Sequence, residues 1–209
     1  MEFVYVIPRD KLFPECYPQG LAFFRQQGER ESLEARIREH GFFVERSYAE
    51  RTPLLKQIIP YTVVVSGERV LLLQRLPRGG ERRLHGKLSI GVGGHINPED
   101  HLEGLSPVER AARREIEEEI DMRGSYALRT VGFLNDDSNP VGAVHVGIVQ
   151  VAEVQGSVAI RERDVLEGRL VRPMDLEDLR LRGEDFETWS SILIEHLDEF
   201  VFPPQPAPL

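Results

Sequence analysis

The chain has 209 residues, 41% hydrophobic and 29% charged, a composition that supports a folded core and excludes a disordered chain. Its net charge of −9 argues against a general nucleic-acid binder, because duplex affinity rests on Lys and Arg neutralising phosphates. The single cysteine, Cys16, excludes an intrachain disulfide and a cysteine-rich zinc site, reads as a packed thiol, and suits a cytoplasmic protein.

In chain order, the N-terminus MEFVYVIPRD lacks a basic start followed by an apolar run, so no signal peptide is expected. No apolar run approaches the roughly 18 residues of a membrane helix, and no membrane partner is expected. Phe3 to Ile7 is β-branched and aromatic and reads as a strand ending at Pro8. Residues 29–40 carry Leu33 and Ile37 at helical spacing, with Gly41 as a stop signal. Residues 1–57 read as an extension packed on the main domain. Phe3, Phe13, Phe23, Phe24, Phe42 and Phe43 are too much aromatic surface to leave in water, and they would cover a sheet edge or mediate a homodimer.

Tyr61 to Val65 and Val70 to Gln74 flank Ser66-Gly67-Glu68 and predict a β-hairpin. Residues 88–96 read as a strand with a glycine-rich end, and residues 107–120 as a helix. Leu128 to Leu134 and Ala143 to Val151 read as strands around the turn-rich segment 135–140. Leu170 to Arg172 is a short strand candidate, Phe186 to Leu197 a helix, and residues 201–209 an irregular proline-rich tail. Strands and helices without strict alternation predict an α/β protein with a mixed sheet flanked by helices.

The informative segment is Ser106 to Met122. Ser106 is a good N-cap, Pro107 suits the first helical position, and Glu109 completes a Ser-x-x-Glu capping box. The other end is badly made for a helix. Glu115, Glu117, Glu118, Glu119 and Asp121 load its C-terminal half with carboxylates, each opposing the dipole by roughly 0.3–1 kcal/mol. Projected at about 100° per residue, Val108, Ala111 and Ala112 form an apolar stripe that Glu115, Glu118 and Glu119 continue. Three carboxylates on a packed face need a cation, and a hard divalent metal takes carboxylate oxygens well. Glu117 and Asp121 read as a solvated face.

Together with Gly91-Val92-Gly93-Gly94-His95, the run Arg114-Glu115-Ile116-Glu117-Glu118-Glu119 resembles the signature of the Nudix hydrolases, G-x5-E-x7-R-E-U-x-E-E-x-G-U. The likeness covers about residues 58–197, so 58–200 is expected to be the Nudix domain, an α/β/α sandwich around a mixed sheet. Three departures stand out. About six extra residues separate Gly94 from the helix, and Ser106 stands eight residues before Arg114, where the family has a bracing glutamate. Glu103 or Glu109 is expected to substitute as the brace. Asp121 replaces a late glycine, which implies a different exit from the helix.

The resemblance implies a Mg²⁺-dependent (or Mn²⁺-dependent) enzyme that hydrolyses a nucleoside diphosphate linked to another group. Glu115, Glu118, Glu119 and the Gly94 carbonyl would hold the metal. Glu118, Glu115 and Arg114 would be the catalytic set, with Glu118 as base and Glu162 or Glu167 in reserve. The partner would be a small phosphorylated substrate. Arg75, Arg78 and Lys87, in a basic stretch with Arg82 and Arg83, would guide its phosphates, unless that stretch is only a solvated loop. His95 would hydrogen-bond phosphate or serve the loop structurally, and His145, Phe133 and Tyr61 read as packed. Three other readings compete: a Nudix-fold binding module without turnover, allylic diphosphate isomerisation needing an active-site cysteine, and an acidic interaction surface that binds no metal.

Overall fold

The computed structural model describes residues 1–77, 86–102 and 106–201. The aromatic, β-branched start forms β1 (Phe3–Pro8) and runs into a single turn, α1 (Arg9–Leu12). After β2 (Gly20–Phe23) comes the helix predicted from Leu33 and Ile37, α2 (Gln27–His40), which stops at Gly41. Next come β3 (Phe42–Glu45), α3 (Arg46–Ala49), β4 (Leu55–Ser66) and β5 (Arg69–Arg75). The hairpin expected at Ser66-Gly67-Glu68 is present: Ser66 pairs with Arg69, and Gly67 takes the positive φ of 58° that such a tight turn requires.

The strand expected over 88–96 is two short pieces, β6 (Leu88–Ser89) and β7 (Gly91–Gly93). The predicted signature helix is α4 (Pro107–Glu119), and β8 (Ile120–Asn135) begins at the next residue, which is the altered exit implied by Asp121. β8 and β9 (His145–Ile160) are each 16 residues long, well beyond the expected limits, because their outer halves are exposed and show no apolar alternation. β10 (Leu166–Val171) starts earlier than expected. The helix α5 (Pro173–Leu181) was not anticipated, although Pro173 at its first position and Asp175 bonding the Arg172 N–H are ordinary start signals. The helix expected over 186–197 is broken into α6 (Thr188–Ile194) and α7 (Leu197–Phe200). Residues 202–209 of the proline-rich tail lie outside the described residues.

Among the described residues, ten strands belong to one large mixed sheet, which with its helices makes the α/β architecture expected. The chain divides into two compact units. Unit one comprises Met1–Thr62, Gly93–Ile116 and Thr130–Gln150. There β4, β9, β8 and β2 are neighbours in that order, β1 pairs antiparallel with both β3 and β4, and β7 pairs with β4. Its core joins Tyr5, Ile7, Leu33 and Ile37 to Ile58, Ile96, Val108 and Ile148, with Phe13, Phe24, Phe43 and Phe133 packed against it. The N-terminal aromatics are therefore largely core, but Phe3 and Phe42 remain exposed, as does Cys16, which is not the packed thiol expected. Unit two comprises Val63–Val92, Glu117–Arg129 and Val151–Leu209. It holds the antiparallel β10-β5 ladder, the β4–β5 hairpin and β6 on β5. Among the described residues no helix is long and apolar enough to cross a membrane.

Candidate metal and phosphate site on the signature helix

The start of α4 is capped as its sequence predicts. Glu109 N–H donates to the Ser106 hydroxyl at 3.4 Å, and Arg110 N–H to the Ser106 carbonyl at 3.1 Å. The Glu109 carboxylate takes two bonds from the Arg113 guanidinium, at 3.0 and 2.8 Å, so it does not brace the loop. Glu103, the other expected brace, lies outside the described residues.

The brace is Asp100, which the sequence reading missed. Arg114 Nε donates to Asp100 Oδ1 at 3.1 Å and Arg114 Nη2 to Oδ2 at 2.8 Å, a bidentate pair with Asp100 only 3% exposed. Asp100 Oδ2 also accepts the Asn97 N–H at 2.9 Å, which fixes the 3₁₀ turn Pro98–Asp100. Arg114 further donates to the His95 carbonyl at 2.9 Å and to Glu115 Oε1 at 2.7 Å. Asp100 and then Glu115 hold the guanidinium pKa well above its usual range, so Arg114 is a permanent cation. Five residues separate Gly94 from Asp100, the spacing of the signature's glycine and glutamate. The extra residues thus follow the brace instead of preceding it. Counting forward from Gly94, instead of back from Arg114, finds it.

Gly94 has a steric reason to be glycine. A Cβ there would lie 2.3 Å from Glu115 Oε1 and 2.5 Å from its carboxyl carbon. The backbone that would offer a carbonyl to a cation is thus pressed against one expected ligand. Gly93 is the more constrained of the two, since its Cβ would meet the Pro60 carbonyl oxygen, a backbone atom, at 2.2 Å.

In unit two, Glu119 is 7% exposed and accepts a bond from Arg75 Nη2 at 3.1 Å. Arg75, expected to meet phosphate, is thus held against an expected metal ligand. Arg161 N–H donates to the Glu119 carbonyl at 2.8 Å, which places exposed Glu162 beside the end of α4. Glu167 lies on β10, exposed and opposite Gln74. Lys87 pairs with Asp185 at 3.0 Å. Arg78, Arg82 and Arg83 lie outside the described residues.

The helix projection needs one correction. Glu118 is exposed and is not on the packed stripe. At about 100° per residue, Glu115 and Glu119 fall within about 20° of Val108, whereas Glu118 is turned about 80° away. Ile116, buried at 0%, takes the opposite flank of the stripe. Among the described residues no three acidic, histidine or cysteine side chains converge as a ready metal cage. The carboxylates of Glu115 and Glu119 are turned to Arg114 and Arg75 instead. Carboxylate oxygens are nonetheless the donors that a hard divalent cation takes, and in unit one Glu115 has the Gly94 backbone against it.

These features define a Nudix hydrolase. A model of the Nudix domain matches residues 58–190, and the chain belongs to that family, whose members are hydrolases of the general pyrophosphohydrolase kind. Among its relatives is protein YmaB of Bacillus subtilis strain 168, 32% identical over 205 residues, which span 94% of this chain and 98% of that protein. The crystal structure of Tm1382, described as a candidate Nudix hydrolase, superposes with a TM-score of 0.77 at 26% identity, covering 94% of this chain and 98% of its own. DR0079 from Deinococcus radiodurans, with a TM-score of 0.54 at 16% identity over 74% of this chain and 90% of its own, shares the fold.

Proposed function

We propose that this protein is a divalent-metal-dependent hydrolase that cleaves a phosphoanhydride bond in a nucleoside diphosphate linked to another group. The observation that carries the reading is the braced helix. Arg114 is locked to buried Asp100 at one end of a run whose remaining carboxylates, Glu115, Glu118 and Glu119, have no helix-stabilising purpose.

Glu115, Glu118, Glu119 and the Gly94 carbonyl would hold Mg²⁺ or Mn²⁺. Such an ion screens the diphosphate charge, polarises the phosphoryl oxygens and acidifies the attacking water. The chain's own residues do the rest. Arg114 fixes the rotamer of Glu115 and ties the His95 backbone to the helix. Glu118, exposed on α4, is the first candidate to take the proton of the water, and Glu162 is the reserve its position beside the Glu119 carbonyl favours over Glu167. Arg75 can exchange its Glu119 contact for a substrate phosphate once a cation neutralises that carboxylate. Lys87 and Arg78 remain candidates for the same phosphates. The exposed thiol of Cys16 suits a reducing cytoplasm.

The test is product release from a panel of dNTPs, ADP-ribose, diadenosine polyphosphates, nucleotide sugars, NADH and CoA, with Mg²⁺, Mn²⁺ or EDTA. Metal-dependent cleavage of any member supports the reading and names the substrate group. Metal binding without any cleavage would point to a binding module instead.

A further inference from the structure

Unit one contains a cavity whose lining takes no part in the hydrolysis proposed above. It holds about 530 Å³, within the roughly 300–1,000 Å³ typical of small-molecule sites. Phe24, just past β2, and Phe133 on β8 line it with aromatic surface. Both rings are partly buried, with centroids 6.2 Å apart and planes tilted by 49°. From α2 come Gly28, Ser32 and Arg36, which stand four residues apart and so share one face of the helix.

The cavity carries a cation without a matching anion. A guanidinium has five N–H donors. Among the described residues Arg36 uses one, from Nη1 to Ser32 Oγ at 2.9 Å, and its Nε is buried with no partner. Elsewhere in the chain Arg114, Arg172 and Arg180 each set Nε and Nη2 on the two oxygens of one carboxylate. Glu29, the acid in the cavity lining, does not supply one to Arg36: its Oε2 accepts the N–H groups of Arg25 at 2.8 Å and Gln26 at 3.4 Å. A partly buried guanidinium with its fork open, beside aromatic faces, is a seat for a phosphate or carboxylate.

We propose that this cavity is a second ligand site, one that takes a flat aromatic ring bearing a phosphate or carboxylate. The ring packs on Phe24 and Phe133, and the anion meets the guanidinium of Arg36. The site uses none of the α4 glutamates, so it goes beyond the hydrolase reading and does not rest on it.

Methyl NMR on alanine- and leucine-labelled full chain tests this, with EDTA present to keep metal-bound ligand out of the readout. Ala22 and Leu33 line the cavity and report on it. The probes are AMP and phenylpyruvate, with ribose 5-phosphate and pyruvate as their ring-free counterparts. At least one aromatic probe should shift the Ala22 and Leu33 methyl resonances saturably, and which one does so names the source of the ring and anion. The ring-free compounds should leave those resonances in place. Arg36→Gln should weaken the binding about tenfold. Gly28→Leu should fill the cavity and abolish the shifts without lowering the melting temperature. A Cβ at Gly28 meets nothing within 4 Å, and leucine favours a helix over glycine. Neither aromatic probe binding overturns the proposal, as do ring-free compounds binding equally well or shifts confined to Ala111 and Ala112 on α4. These three outcomes need no variant to fold. Unchanged affinity in Arg36→Gln or in Gly28→Leu overturns it too. A chain that binds a probe here yet hydrolyses nothing counts against the hydrolase reading alone, and an active hydrolase with silent Ala22 and Leu33 counts against this site alone.

Discussion

Two acidic residues on and near α4 are predicted to differ in what their substitution does to stability. Glu118 is exposed, so Glu118→Gln should leave the melting temperature unchanged or raise it as carboxylate repulsion falls. As the candidate base it should nonetheless lose turnover by about 10²–10⁴-fold, read by steady-state kinetics. Asp100 is buried beneath Arg114, and Asp100→Ala should cost about 3 kcal/mol in denaturant unfolding, because the guanidinium loses its bidentate partner and keeps only Glu115 and the His95 carbonyl. Turnover should fall with it, since Glu115 loses a fixed partner. The glutamates were legible in the sequence because carboxylates stacked at the C-terminal end of a helix oppose its dipole. Asp100 was not, because an insertion of several residues hides which carboxylate an arginine will reach. The exposure of Glu118 was not legible, because Ile116 is turned equally far from Val108 on the other flank and is fully buried, so helical angles alone do not decide which flank is covered.

At the scale of the element, α4 and the strand end before it work as a pair. Gly94→Ala should push the Glu115 carboxylate aside, at the expense of its 2.7 Å bond to Arg114. The expected outcome is a folded protein with metal affinity about tenfold weaker, measured by calorimetry, a size typical of disturbed ligand support. Elements with an internal hydrophobic period were legible: β1, α2, the β4–β5 hairpin and α4. The outer halves of β8 and β9 were not. In β8 the run Arg123-Gly124-Ser125 is polar or small and exposed at every position, and such a run has no period to read. Likewise β2 and β3 are four residues each, shorter than a pattern needs to declare itself.

In the whole molecule, the first 57 residues and the signature share one core. Tyr5, Ile7, Leu33 and Ile37 pack with Ile96, Val108 and Ala111, so the N-terminal segment buries the inner face of α4. Deleting residues 1–57 should therefore yield protein with no cooperative thermal transition, checked by calorimetry. A truncated chain that melts cooperatively near the full-length temperature would make the segment an accessory. The aromatic content of the segment foretold packing. Which face it would cover depends on tertiary pairing, such as Val6 with Gln57, which no local pattern encodes.

The central claim is that the carboxylates of α4 exist to hold a divalent ion. Its most direct test is a Mn²⁺ titration followed by electron paramagnetic resonance, comparing the full chain with Glu119→Gln. The expected result is saturable Mn²⁺ binding by the wild-type protein and a loss of at least one bound ion in the variant, with the fold retained by circular dichroism. No saturable binding by the wild-type chain, or equal binding by both proteins, would contradict it.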